Sequence, residues 1–103
     1  MNVDGVVTAR TYGSRLRGLT FRRDLSAVRL WIPRCSSVHT CFMLASIDII
    51  FLDRERRIVS IRSGAKPWRL FLGGRSADSV LEVNAGFARK HGLGIGDRIE
   101  WPG

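Results

Sequence analysis

The chain has 103 residues, 45% of them hydrophobic and 25% charged, and its 17 Lys and Arg against 9 Asp and Glu give a net charge of +8. That balance excludes a disordered polymer and fits one soluble domain over residues 1–103, long enough to bury a core without disulfides or metals. No apolar run approaches the ~20 residues that span a bilayer, and the start Met1-Asn2-Val3-Asp4-Gly5 has no basic and apolar leader pattern, so a cytoplasmic protein without membrane contact is expected.

Taken in order, Val3–Ala9 reads as a first strand. "GSRLRGLTFR" carries Leu16 and Leu19 near helical spacing behind a capping Ser14. Ala27–Pro33 alternates Val28, Leu30 and Ile32 against Arg29 and Trp31, a strand that Pro33 ends or confines to an edge. "VHTCFML" and "IDIIFLD" follow, separated by Ala45-Ser46, and read as a hairpin. After the polar "DRERR", the β-branched Arg57–Arg62 reads as a strand and "SGAKP" as a loop. Trp68–Leu72 is a further extended stretch that Gly73-Gly74 turns, and Ser79–Asn84 alternates again. "NAGFARKHG" supplies a short helix, with Asn84 as N-cap and Gly92 suited to the left-handed position after its end. "LGIGDRIEW" then turns into a last strand; "GLGIGD" follows a helix and lacks the lysine of a phosphate loop, so it is a cap and turn. Seven or so short strands at 8–12-residue intervals predict a mainly β (α+β) fold. It would be one small barrel-like or sandwich-like antiparallel sheet with one or two short helices.

The stretch "RCSSVHTCFMLASIDIIFLD" holds the residues that could do chemistry. On an alternating strand His39, Cys41 and Met43 share a face and offer three soft or borderline metal ligands. Same-face neighbours lie roughly 6.5–7 Å apart along a strand, however, too far to converge on one ion, and a fourth ligand would have to come from His91 or Cys35. No metal and no cofactor is therefore expected. Asp48 shares a face with Ile50 and Leu52, so its carboxylate must be paired or bonded to backbone. A turn at Ala45-Ser46 would put Asp48 opposite Met43 and leave His39 roughly 13 Å along the ladder. A direct Asp–His dyad needs ~3 Å.

Several pieces in this order resemble the domain-of-unknown-function family 192, an uncharacterised bacterial and archaeal family. They are "RLRGLTFR", "IPRCSSVHTCFM", "IDIIFLDRERRIVSI", "KPWR", "ADSVLEVNAG" and "HGLGIGDRI", which together cover Arg15 to Ile99. Gly18, Leu19 and Arg22 match the family's opening, with Thr20 in place of a methionine. Cys35, Val38, His39, Thr40, Met43, Ile47 and Asp48 match the central pattern. Cys41 stands where aromatics are usual, which takes it out of any shared metal site, and Leu44 and Ser46 stand where an Arg and a Pro or Ala are usual. Arg56 replaces a turn glycine; a left-handed backbone there would cost on the order of 1 kcal/mol. The resemblance implies a compact, mainly β domain with a small helical component and no established activity; a bacterial protein is expected. The tail "VNAGFARKHGLGIGDRI" is also similar to the strand–helix–turn–strand unit of cradle-loop barrels, a likeness of fold that carries no function.

Three functions are open on these residues. The first is a small binding or accessory module whose pocket gathers His39, Thr40, Asp48, Trp68 and Arg69; Trp68-Arg69 puts a flat apolar ring beside a guanidinium, suited to a small, anionic or planar ligand. The second is a hydrolase or thiol-dependent enzyme centred on Cys35, His39 and Asp48, which needs those side chains within ~4 Å of each other. The third is nucleic-acid binding driven by the Arg excess, which needs one contiguous basic face. The binding module is favoured. The catalytic residues, the ligand and the oligomeric state stay undetermined.

Overall fold

A computed structural model describes residues 1–9, 28–40 and 44–101. The described chain is mainly β. Seven strands run in the order β1 (Val7–Thr8), β2 (Arg29–Ile32), β3 (Ser37–His39), β4 (Ile47–Leu52), β5 (Ile58–Ala65), β6 (Leu70–Leu72) and β7 (Ser79–Asn84), followed by one short helix, α1 (Phe87–Lys90). Five strands form a sheet in the order β1-β2-β7-β4-β5, and β3 and β6 form a separate two-stranded ribbon. The large sheet is mixed, because β1 pairs with β2 in parallel while the other neighbours are antiparallel. Its described strands do not close into a barrel.

Burial explains which strands lie in the centre. Ile47, Ile49 and Phe51 of β4 pack with Ile32, Val38 and Val80 on one face of the sheet. Ile50 and Leu52 pack with Leu81, Val83, Phe87, Ile99 and Trp101 on the other. A strand covered on both faces reads as a nearly continuous apolar run, as "IDIIFL" and "SVLEVN" do. Each fully buried Ile, Leu or Phe contributes about 1.5–3 kcal/mol, so β4 and β7 anchor the molecule. The ribbon of β3 and β6 covers the first face, with Val38 in that core and Phe71 packed against it. The helix α1 covers the second, through Phe87 and Ala88.

Four expectations need correction. The hairpin of residues 38–53 does not form among the described residues: β3 pairs with β6, and β4 lies between β5 and β7. Both edges of β4 are taken, by β5 and by β7, which leaves no place for β3 beside it. Second, "SGA" is not a loop, since β5 runs on through Ser63, Gly64 and Ala65. Third, Asn84 ends β7, and the position before α1 is Gly86, which offers no side-chain cap. Fourth, the closing strand is reduced to isolated bridges, Arg57 with Arg98 and Asn2 with Glu100. Gly92 does take the left-handed conformation, at φ 63°. The helix expected around Leu16 and Leu19 lies outside the described residues, as do Cys41 and Met43.

Arg56 takes the left-handed conformation that its place in the β4–β5 connection demands, at φ 62°. The turn is built by Asp53, whose carbonyl accepts from the Arg56 amide and whose Oδ1 accepts from the amides of Glu55 and Arg57. A residue in this region commonly ends a short hairpin loop, and glycine adopts it without cost. Arginine has a compensating contact. Its guanidinium lies 3.9 Å from the ring centroid of Trp101 and 5.0 Å from that of Trp31. Those two rings meet edge to face at 5.2 Å.

Candidate functional site

Asp48 alternates with Ile47 and Ile49, so it projects from β4 to the face that carries α1. It is completely buried. Its Oδ1 accepts from the Gly64 amide at 2.8 Å and its Oδ2 from the Ala88 amide at 3.0 Å. Both needs come from the backbone. Between Ile47↔Ala65 and Ile49↔Arg62, β5 holds one more residue than β4, a bulge centred on Ser63 and Gly64. Gly64 sits there at φ 60°, and Asp48 supplies an acceptor for its amide. At the other oxygen, α1 starts without a side-chain cap, and Asp48 from a distant strand receives one of its free amides. Asp48 thus clamps a bulge and a helix start to the central strand.

Thr40 does the same for the chain entering β6. It too is completely buried. Its hydroxyl donates to the Lys66 carbonyl at 2.6 Å and accepts from the Arg69 amide at 2.9 Å. Its own amide donates to the Arg69 carbonyl at 2.8 Å, and its carbonyl accepts from the Trp68 amide at 2.9 Å. Between these bonds Trp68 is held at φ 64°, a strained conformation for an aromatic residue, and is 55% exposed. His39, half-buried, stands across the ribbon from Leu70.

Of the five residues expected in one pocket, then, Thr40, Trp68 and Arg69 are joined by direct bonds and His39 is next in the chain. Asp48 lies apart, on the far face of the large sheet from the ribbon that carries His39. Both its oxygens are taken by amides, so no Asp48–His39 dyad is assembled. Cys35 is a free thiol whose Sγ donates to the Ser37 carbonyl at 2.9 Å. Among the described residues, no three His, Cys, Asp or Glu side chains come together as a metal site requires. His91 packs its ring on Phe87 at the end of α1.

Among the described residues, an open cleft of about 420 Å³ lies between β5 and β6. It is lined by residues 61–66 together with Arg69 and Phe71. Ala65 and Phe71, both on the side of the first core, give it an apolar floor, and Ile61 lines it from the opposite face of β5. Arg62, Lys66 and Arg69 bring three cations, and no carboxylate is among the lining residues. Arg62 reaches across, its Nη2 donating to the Leu72 carbonyl at 3.4 Å. Two of the expected site residues bear directly on this cleft: Arg69 lines it, and Thr40 holds the carbonyl of Lys66 and the amide of Arg69. Asp48 acts on it from beneath, through Gly64.

Arg62 and Lys66 were not legible as site residues, because "RSGAK" reads as a polar loop. Glu82 was missed as well. It is completely buried in β7, with Leu30 and Ile49 as cross-strand neighbours. The signal was available: Val80, Leu81 and Val83 are apolar on both alternating sets, which marks a central strand and buries whatever lies between them.

Comparison with known proteins gives a consistent picture. The family model DUF192, described as an uncharacterized ACR, matches residues 2–101. A UPF0127 protein from Thermococcus sibiricus is 34% identical over 101 residues, covering 93% of this chain and 65% of the relative. One from Pyrococcus horikoshii is 33% identical over 97 residues, covering 90% of this chain and 84% of the relative. A crystal structure of a protein of unknown function from Novosphingobium aromaticivorans superposes with a TM-score of 0.80 at 28% identity, covering 93% of this chain and 74% of that one. The chain spans 65% and 64% of the length of the two Thermococcus relatives that head the comparison. These curated relatives are archaeal, which corrects the expectation of a bacterial protein.

Proposed function

From the premise that the chain belongs to the DUF192 family, which carries no assigned activity, we propose that it is a binding module that captures an anionic ligand in the cleft between β5 and β6. The observation that carries this reading is the lining itself: Arg62, Lys66 and Arg69 around an apolar floor, without a carboxylate to neutralise them. Three like charges at one cleft repel each other and attract an anion, and a guanidinium can bind a carboxylate or phosphate through two parallel hydrogen bonds. The strained, exposed Trp68 stands in sequence between two of the cations. Its conformation is fixed by Thr40, so the loop is formed before any ligand arrives, which lowers the entropic cost of binding.

The test is a titration with citrate, with phenyl phosphate as a planar anion, followed by amide chemical shifts. The expected result is saturable shifts confined to residues 61–72, a Kd on the order of 10–100 μM, and weakening as salt is raised from 50 to 200 mM. Charge reversal at Arg62 and Lys66 should abolish the shifts. Anions that perturb only other surfaces, or nothing, would refute the proposal.

A further inference from the structure

The cleft borders a strand edge. Resting on the reading of the cleft as an anion-binding site, we propose that its natural occupant is an extended, acidic peptide segment that adds as a strand to the edge of β5 that no described strand pairs. β5 is the outermost strand of the large sheet, bonded to β4 on one side. On its other side, only the beginning is covered. The Ile58 amide donates to the Asp97 carbonyl, the Gly96 amide donates to the Ile58 carbonyl, and Arg57 bridges to Arg98. Beyond that point no strand flanks β5 among the described residues, and Arg62, Ser63 and Gly64 are exposed. Alternate N–H and C=O groups of residues 60–63 therefore face the cleft side and can pair with an added backbone.

Charge selects the occupant. A second copy of β5 laid against this edge would bring Arg62 and Lys66 near their own counterparts, and like charges across a strand pair repel. An acidic segment meets the opposite situation, with carboxylates falling against Arg62, Lys66 and Arg69. The bulge at Gly64, held by Asp48, limits the pairing to about four residues and turns the chain toward Lys66 and Arg69. Ile61, on the opposite face of β5 from Arg62, then meets an apolar side chain of the peptide between two acidic ones, as strand alternation requires.

The experiment uses three probes on the full chain. One is a capped peptide alternating Glu with Val and Thr. The second is the same peptide N-methylated at alternate residues, which keeps the charge and removes backbone donors. The third is citrate. The peptide should bind about tenfold or more tighter than its N-methylated form, since each lost backbone bond weakens binding several-fold. It should also slow hydrogen exchange of at least two amides within residues 60–63, while the amides of β4 and β7 stay unchanged as a control for folding. Equal binding of the two peptides, together with citrate shifts in the cleft, would overturn strand addition and leave the anion site standing. Protection appearing at Val7–Thr8 on the opposite edge would likewise overturn it. If neither peptide nor citrate perturbs residues 61–72, the anion site falls as well.

Discussion

Replacing Asp48 separates a clamp from a ligand contact. In Asp48→Ala the Ala88 amide, buried at the start of α1, loses its acceptor and stays out of reach of water, at about 1–3 kcal/mol. The Gly64 amide also loses its acceptor, but Gly64 is exposed and water can substitute, so about 0.5–1 kcal/mol is at stake there. Removing a buried carboxylate recovers some desolvation energy, yet two stranded amides outweigh it, because each was matched to a charged acceptor. The net expectation is a loss of about 1–3 kcal/mol, and a fall in Tm of roughly 4–24 °C for a domain of this size. Asp48→Asn keeps one carbonyl oxygen, which can turn to the buried Ala88 amide, so about 1–2 kcal/mol is expected. Urea unfolding followed by tryptophan fluorescence measures both, and citrate titration of the folded variants measures the cleft. A loss below 0.5 kcal/mol for Asp48→Ala would refute the clamp. So would an Asp48→Asn variant of unchanged stability that no longer binds citrate, because Asp48 would then have to touch the ligand.

Substitutions at Gly73, Arg56 and Thr40 test the rest of the structure. Gly73→Ala would place a Cβ 2.3 Å from Cδ1 of Phe51 and 2.7 Å from Cβ of Ala77, with Phe51 fully buried and unable to yield, so about 1–3 kcal/mol should be lost in urea unfolding. Gly94→Ala, whose nearest neighbour is Asp97 Oδ2 at 4.0 Å, is the control and should change little. Arg56→Ala should be less stable than Arg56→Gly by about 1 kcal/mol, since both lose the contacts with Trp31 and Trp101 but only glycine relieves the left-handed strain; the reverse order would remove strain from the account. Thr40→Val should cost about 1–3 kcal/mol and weaken citrate binding several-fold, while Thr40→Ser, which keeps the hydroxyl, should restore most of both by the same two measurements.

The strands were legible where the side-chain pattern matched the backbone. Arg29–Ile32 and Ser79–Asn84 fall inside the predicted segments, β5 begins inside its segment and runs past it to Ala65, and the mainly β character follows from such patterns. The partner of β3 was not legible. A period of two tells which face a residue takes but not which strand lies beside it, and short connections favour the nearest one. The pairing of β3 with β6 is extended by Thr40, a residue of unremarkable sequence context, reaching the chain at 66–69. The site was legible in part for the same reason. Trp68 and Arg69 stand out as types, whereas Arg62 and Lys66 acquire meaning only when β5 extends through Gly64 and turns them toward Arg69.

Asp48 and Thr40 have one property in common that bears on how the cleft is specified. Each is a buried polar side chain that accepts or donates to backbone groups which regular pairing leaves over, at the Gly64 bulge in one case and at the Lys66–Arg69 chain in the other. The geometry of the cleft is therefore held by groups that do not line it, and its charge by exposed side chains that contribute little to the fold. Those two sets should respond differently to conservative change. Arg62→Lys keeps the charge of an exposed group and should preserve stability while costing the paired hydrogen bonds of a guanidinium, a several-fold loss in citrate affinity. Asp48→Glu keeps the charge of a buried group but adds a methylene where both oxygens are already placed, and should lose about 1–3 kcal/mol of stability. If instead Asp48→Glu were harmless and Arg62→Lys unfolded the protein, the division between scaffold and charge would have to be reversed.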